Sequence, residues 1–120
     1  MKVTGEQHVA CVNHVLLVGN IGRGGVEVRA APSGAAQAVF PLLLAEQGQD
    51  GKIYTTSVPC EIWGRYAEDA GGLGAGQLVL VEGRLKKRPR ADTAAWELCV
   101  VAFDVTPVLE KAALPLFPGY

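Results

Sequence analysis

Apolar and polar positions along this chain recur with period two, or merge into continuous apolar runs rich in β-branched residues; strands, not helices, are expected. Residues 9–18 predict a first strand, which runs into Gly19, Gly22, Gly24 and Gly25. Glycine inside a strand pattern marks a bulge or tight bend, as at a barrel corner. Residues 26–30 continue extended. Pro32-Ser33-Gly34 predicts a turn, because proline presets φ and glycine tolerates positive φ. Residues 36–45 predict a second strand and QGQDG at 47–51 a polar hairpin tip. Residues 52–63 predict a third strand, in which Pro59 implies an edge or a bulge. RYAEDA at 65–70 is the one predicted helix, stopped by Gly71-Gly72 and short enough that tertiary packing must hold it. Residues 77–85 predict a fourth strand with a bend at Gly83, 91–94 a turn, and 96–105 the last strand. On that strand Leu98, Val100 and Ala102 share one face, and Cys99, Val101 and Phe103 the other. Both faces are apolar, so the outer one is expected to be covered, for instance by another subunit.

Three strands, a short helix and two more strands is the order of an OB-fold: an all-β, five-stranded barrel with one short helix between strands 3 and 4. The expected layout is an extension at 1–12, the barrel at 13–106 and a short segment at 107–120. That order does not by itself assign a function.

Length and composition narrow the field. At 120 residues the chain suits one domain. With 49% hydrophobic and 19% charged residues it is neither a disordered tail nor a coiled coil. The longest apolar run, 39–45, is too short to span a bilayer, which needs about 20 residues. The opening residues have no apolar core followed by a small-residue cleavage site, so a cytoplasmic location is expected. The three cysteines, Cys11, Cys60 and Cys99, form no CxxC, and His8 and His14 lie near only Cys11. No metal or other cofactor is expected, and all three thiols are expected to be small apolar core or interface groups.

Charge is uneven although the formal net charge is −1. Residues 1–83 hold 5 basic and 8 acidic side chains, residues 84–90 (RLKKRPR) 5 basic and none acidic, and residues 91–120 1 basic and 4 acidic. Such a block binds phosphates by displacing condensed counterions, or it is a solvated hairpin that keeps a strand edge from aggregating. The residues alone leave both readings open.

The motifs resemble a known family. NHVLLVGNIG at 13–22 is similar to the opening of bacterial single-stranded-DNA-binding proteins, and Val26-Glu27-Val28-Arg29 to their "EVR" segment. Pro32-Ser33-Gly34 with Ala38 and Phe40 resembles their second-strand entry. Ile62-Trp63-Gly64-Arg65 followed by Ala67-Glu68 resembles their aromatic-Gly step and helix start. Gly76, Val79 and Val81-Glu82-Gly83-Arg84-Leu85 resembles their "V-E-G-R-L" strand, with Ala75 where the family has lysine. Together the pieces cover about residues 13–106 in the family's order.

The resemblance implies an OB-fold that assembles as homodimers or homotetramers and binds single-stranded DNA with little sequence preference, through a cationic groove and aromatic faces. Carried over by position, it makes Trp63 a stacking platform, Arg65 the basic residue after it, and Arg84, Lys86, Lys87, Arg88 and Arg90 the basic fourth-strand hairpin. Tyr54, Lys52 and Trp96 join the candidates as a second stacking ring, a tip cation and a strand-start indole. Each has a plainer reading: core or interface packing for Trp63 and Trp96, a surface ring for Tyr54, a solvated tip for Lys52. Arg29 reads as a partner of Glu27, and His14 as structural.

Three positions depart from the family, whose tryptophans align with Gly48, Ser57 and Arg90. At about 1–3 kcal/mol per stacked base, losing three platforms removes roughly 3–9 kcal/mol per subunit, so weaker binding is expected. The family's acidic, Phe-ended tail is absent from LEKAALPLFPGY, so tail-mediated recruitment of replication and repair proteins is not expected.

Catalysis finds little support. Residues 19–25 lack the GK[ST] end of a phosphate loop. Glu68 and Asp69 are adjacent on a helix and point apart. A non-catalytic binder is expected, acting in replication, recombination or repair. The alternative is a protein-interaction module like the related primosomal replication protein, which bridges a helicase complex and binds nucleic acid weakly.

Overall fold

A computed structural model describes residues 10–90 and 92–108. His8, Ala91 of the expected turn, most of the N-terminal extension and most of the C-terminal segment lie outside them. The elements are β1 (Val15–Ile21), β2 (Glu27–Ala30), β3 (Ala36–Gln47), β4 (Ile53–Trp63), α1 (Arg65–Ala70), β5 (Leu78–Pro89) and β6 (Trp96–Pro107).

The sheet runs β1-β5-β6-β4-β3-β2, and β1 also pairs with β3, which closes it into a barrel. β1 and β2 are two halves of one bent strand, so the barrel has five strands and an OB-fold order, with α1 between the third and fourth. Asn20 and Ile21 pair with Leu43 and Leu42, and Glu27 to Ala30 pair with Val39 to Ala36. Between these stretches the Gly22 N–H donates to the Pro41 carbonyl at 2.8 Å, leaving residues 23–26 bulged opposite Phe40. This is the bend that the glycine cluster predicted, but it falls later than expected. The strand runs through Gly19 instead of ending before it.

Gly19 serves close approach, not a turn. A Cβ there would lie 2.5 Å from the Leu43 carbonyl oxygen, so a side chain would prop open the β1–β3 closure. Gly83 does the same across the barrel. It sits at a register shift between β5 and β6, and a Cβ would run into the Val101 carbonyl oxygen and reach within 2.8 Å of the Ala102 Cα.

Alternation places Ile21, Ala38, Phe40, Leu42, Cys60, Ile62, Val79, Val81, Val100 and Ala102 in one buried core. Each branched aliphatic side chain moved from water contributes about 1.5–3 kcal/mol. α1 plugs this core with Ala67 and Ala70, which lie three apart on one helix side and are small enough for the helix to pack against β3, β4 and β6. Among the described residues no helix is long and apolar enough to cross a membrane.

Pro41 and Pro59 stand opposite each other in the β3–β4 register. Pro41 lacks its donor where the bent strand leaves β3. Pro59 lacks its donor just before β4 gains β6 as a neighbour at Cys60.

Gly83→Ala is expected to lower unfolding free energy by about 1–3 kcal/mol, because its methyl meets backbone. Gly74→Ala, where a Cβ meets nothing within 4 Å, is expected to change it by less than about 0.5 kcal/mol. Urea titrations of the two variants followed by circular dichroism check this pair.

Candidate nucleic-acid interface

β4 and β6 are parallel neighbours, pairing only at Cys60–Val100, Glu61–Val101 and Ile62–Ala102. Each strand begins at a hairpin tip, so both hairpins leave the barrel in the same direction. One arm is β3–β4 beyond Cys60, with its tip at residues 48–51. The other is β5–β6 beyond Val100, with Arg90 and residues 92–95 at its tip. Between them each strand keeps an unpaired edge.

The pleat sorts the basic block. Arg84, Lys86 and Arg88 pair with Val101, Cys99 and Glu97 and share the outer face with Glu61 and Trp63. Lys87 pairs with Leu98 on the opposite face, where its Nζ lies 4.7 Å from the centre of the Trp96 ring. The five cations therefore divide between two surfaces, and the first of these runs from the β5–β6 arm towards Trp63.

Part of this charge is already neutralised. Arg88 Nε donates to Glu97 at 2.8 Å, and Arg90 Nε to Asp92 at 3.2 Å. The latter hydrogen bond holds the Asp92 carboxyl below the usual carboxylate range and raises Arg90. Lys86 Nζ lies 3.8 Å from Glu61 Oε1. Among the described residues Arg84 has no ion-pair partner.

Glu61 is the polar centre of the outer face. It is 3% exposed, accepts a 2.6 Å hydrogen bond from Gln37 Nε2 and one from the Cys99 thiol at 3.5 Å. A buried carboxylate needs such partners. Sequence reading missed it, because CEIW shows only one acid among apolar neighbours and its partners come from three other strands.

The aromatic candidates do not form one cluster. Trp63 ends β4 and is 37% exposed, on the face opposite buried Ile62. Arg65 beyond it lies over the Tyr66 ring at 5.3 Å. Tyr54 is near the other end of β4, roughly 30 Å away at about 3.3 Å per residue. Its hydroxyl donates to Asp50, which lowers the Asp50 carboxyl and raises the Tyr54 phenol. The Tyr54 ring covers Gly48, where any Cβ would lie 2.6 Å from a ring carbon. Lys52 stands beside it at the tip, its backbone N–H bonded to Asp50 at 3.0 Å. Trp96 is exposed on the inner face of the other arm.

An open groove of about 510 Å³ separates the arms, lined by Val39, Pro41, Ser57 and Pro59 below, Arg23 on one side and Arg88 with Glu97 on the other. Arg23 is a second missed residue. Its sequence signal is a lone cation among glycines at the strand bend.

Cys60 and Cys99 are buried, while Cys11, expected to pack in the core or at an interface, is outside the core and exposed in the single chain. Burial pushes the Cys60 thiol up to about 12 and raises Cys99, with Glu61 adding to the latter. His14 bonds Glu82 at 2.7 Å and stacks on Phe103. No group of three or more metal-ligating side chains occurs among the described residues.

Residues 12–101 match the family model described as the Single-strand binding protein family. The chain belongs to that family. Membership carries single-stranded DNA binding in general and, as a rule, assembly into oligomers. Proteins of the single-strand binding family are binding proteins, not enzymes.

At about pH 8 an aromatic disulfide reagent is expected to modify Cys11 alone in the native protein and all 3 cysteines in denaturant. Cys60, ionising only near 12, stays silent even at about pH 10 while the barrel is folded. Absorbance of the released thiolate counts the equivalents.

Proposed function

We propose that this chain binds single-stranded DNA without sequence preference in the cytoplasm, during replication, recombination or repair, along the outer face of the β5–β6 arm and the barrel edge at Trp63. The observation that supports it most is the alternate placement of Arg84, Lys86 and Arg88 on one face. A flexible strand lies across these cations by its phosphates and stacks a base on Trp63. Lys86 is steered by Glu61, and Arg84, which has no ion-pair partner among the described residues, meets a phosphate. Arg65, Lys52 and Arg90 stand at the margins. Lys87 over Trp96, and Tyr54 over Gly48, are secondary platforms reached when the strand wraps an arm.

Assembly as a homodimer or homotetramer is supported by two features of the surface. β1 pairs with β3 only through Asn20 and Ile21, so its earlier residues keep a free edge. Leu16 and Phe103 are exposed apolar side chains. Light scattering with and without a thymine oligomer gives the subunit number.

A second reading, a primosomal-type module that contacts proteins, draws on Leu85, Leu98 and Trp96, all exposed on the inner face of the β5–β6 arm. The double variant Arg84→Glu/Lys86→Glu separates the two. It removes DNA binding under the first reading and leaves a helicase-complex contact intact under the second.

Tryptophan fluorescence titrated with oligo-dT at low salt is expected to show quenching and a dissociation constant of micromolar or tighter, with log affinity falling by about 0.7 per log salt for each phosphate engaged. The double variant is expected to lose at least about tenfold, and Trp63→Ala about 1–3 kcal/mol. Absence of wild-type binding at micromolar protein rejects the reading.

A further inference from the structure

We infer that Glu61 is a fixed internal competitor for the phosphates of the bound strand: it holds Lys86 and so limits how tightly the outer face grips DNA. The inference rests on the DNA-binding reading above and adds to it an anion that restrains it.

Glu61 lies beneath the path of the strand. It stands on β4 two residues before Trp63. Across the sheet it pairs with Val101, which pairs in turn with Arg84 on β5. A strand running from Arg84 and Lys86 to Trp63 therefore passes over this carboxylate. Glu61 Oε1 lies 3.8 Å from Lys86 Nζ, so a phosphate arriving at Lys86 must share the ammonium with an anion already there.

Its other partners fix the carboxylate in place. Arg29 Nε donates to Gln37 Oε1 at 3.2 Å, which turns the Gln37 amide nitrogen towards Glu61 Oε2 at 2.6 Å. The Cys99 thiol donates to Glu61 Oε1 at 3.5 Å. Each of these partners is a donor, the set that a carboxylate anion requires. The chain Arg29–Gln37–Glu61–Lys86 thus links β2, β3, β4 and β5.

Burial separates Glu61 from the acid at the hairpin tip. The Asp92 side chain is 66% exposed and swings into water when a phosphate takes Arg90. The Glu61 side chain is 4% exposed and has no such escape. Moving it would leave the Gln37 amide and the Cys99 thiol without their acceptor. Its field is also screened less by salt than that of a surface charge. Replacing a buried ion pair by apolar groups is often neutral for stability, so stability alone does not explain an acid at this position.

Fluorescence anisotropy with labelled oligo-dT, titrated at several salt concentrations, tests the inference after circular dichroism has shown each variant folded. Glu61→Gln keeps an acceptor for Gln37 and removes the charge. It is expected to bind at least about threefold tighter at low salt, with a salt slope steeper by up to about 0.7, one phosphate's share. A merely structural Glu61 predicts binding no tighter than wild type, and that result overturns the inference while the DNA-binding reading stands. In a Lys86→Ala background the gain is expected to shrink by at least about half; a gain of full size there places the effect elsewhere and also overturns it. Where Glu61→Gln does not fold, two surface variants decide. Lys86→Ala is expected to cost at least about twofold less affinity than Arg84→Ala, because Lys86 is already engaged, and an equal or greater cost overturns the inference. If the wild type binds no oligo-dT, the DNA-binding reading falls and takes this inference with it.

Discussion

Three residue pairs between parallel β4 and β6 join the two hairpins within this barrel, and the placement of both arms depends on them. Parallel pairing makes both strands start at the same end, so their hairpins project side by side. Had the strands been antiparallel, the basic arm and the proline-floored arm would point apart and no groove would lie between them. Closure also brings strands together at Gly19 and Gly83, where backbone from the neighbouring strand occupies the volume a side chain would need. The family motifs around these glycines are therefore statements about strand crossing as much as about DNA.

The basic block shows how tertiary context changes the meaning of a charge pattern. Five cations in seven positions look like one patch. The pleat assigns them to two faces, and carboxylates from β4, β6 and the hairpin tip engage three of them. What remains is a smaller, directed surface: Arg84 without an ion-pair partner among the described residues, Lys86 beside buried Glu61, and Lys87 resting on an indole. A modest electrostatic footprint is consistent with an overall formal charge of −1.

The departures from the family's tryptophans are likewise structural exchanges. Tyr54 fills the space above Gly48, Ser57 opens a groove floored by prolines, and Arg90 ties down the hairpin tip through Asp92. Each exchange puts a local contact or an opening where the family's stacking ring would stand.

Local pattern alone determined the strand order, the helix at residues 65–70, the core alternation and the family, because period, turn chemistry and short motifs are properties of neighbouring residues. Trp63 opposite buried Ile62 was legible for the same reason. Other features were decided by contacts between residues far apart in the chain: the continuation of β1 through Gly19, the burial of Glu61 with Gln37 and Cys99, and the meeting of Arg23 with Arg88 across one groove. None of those pairings has a spacing signature, since barrel closure brings together strands whose separation along the chain carries no periodic mark.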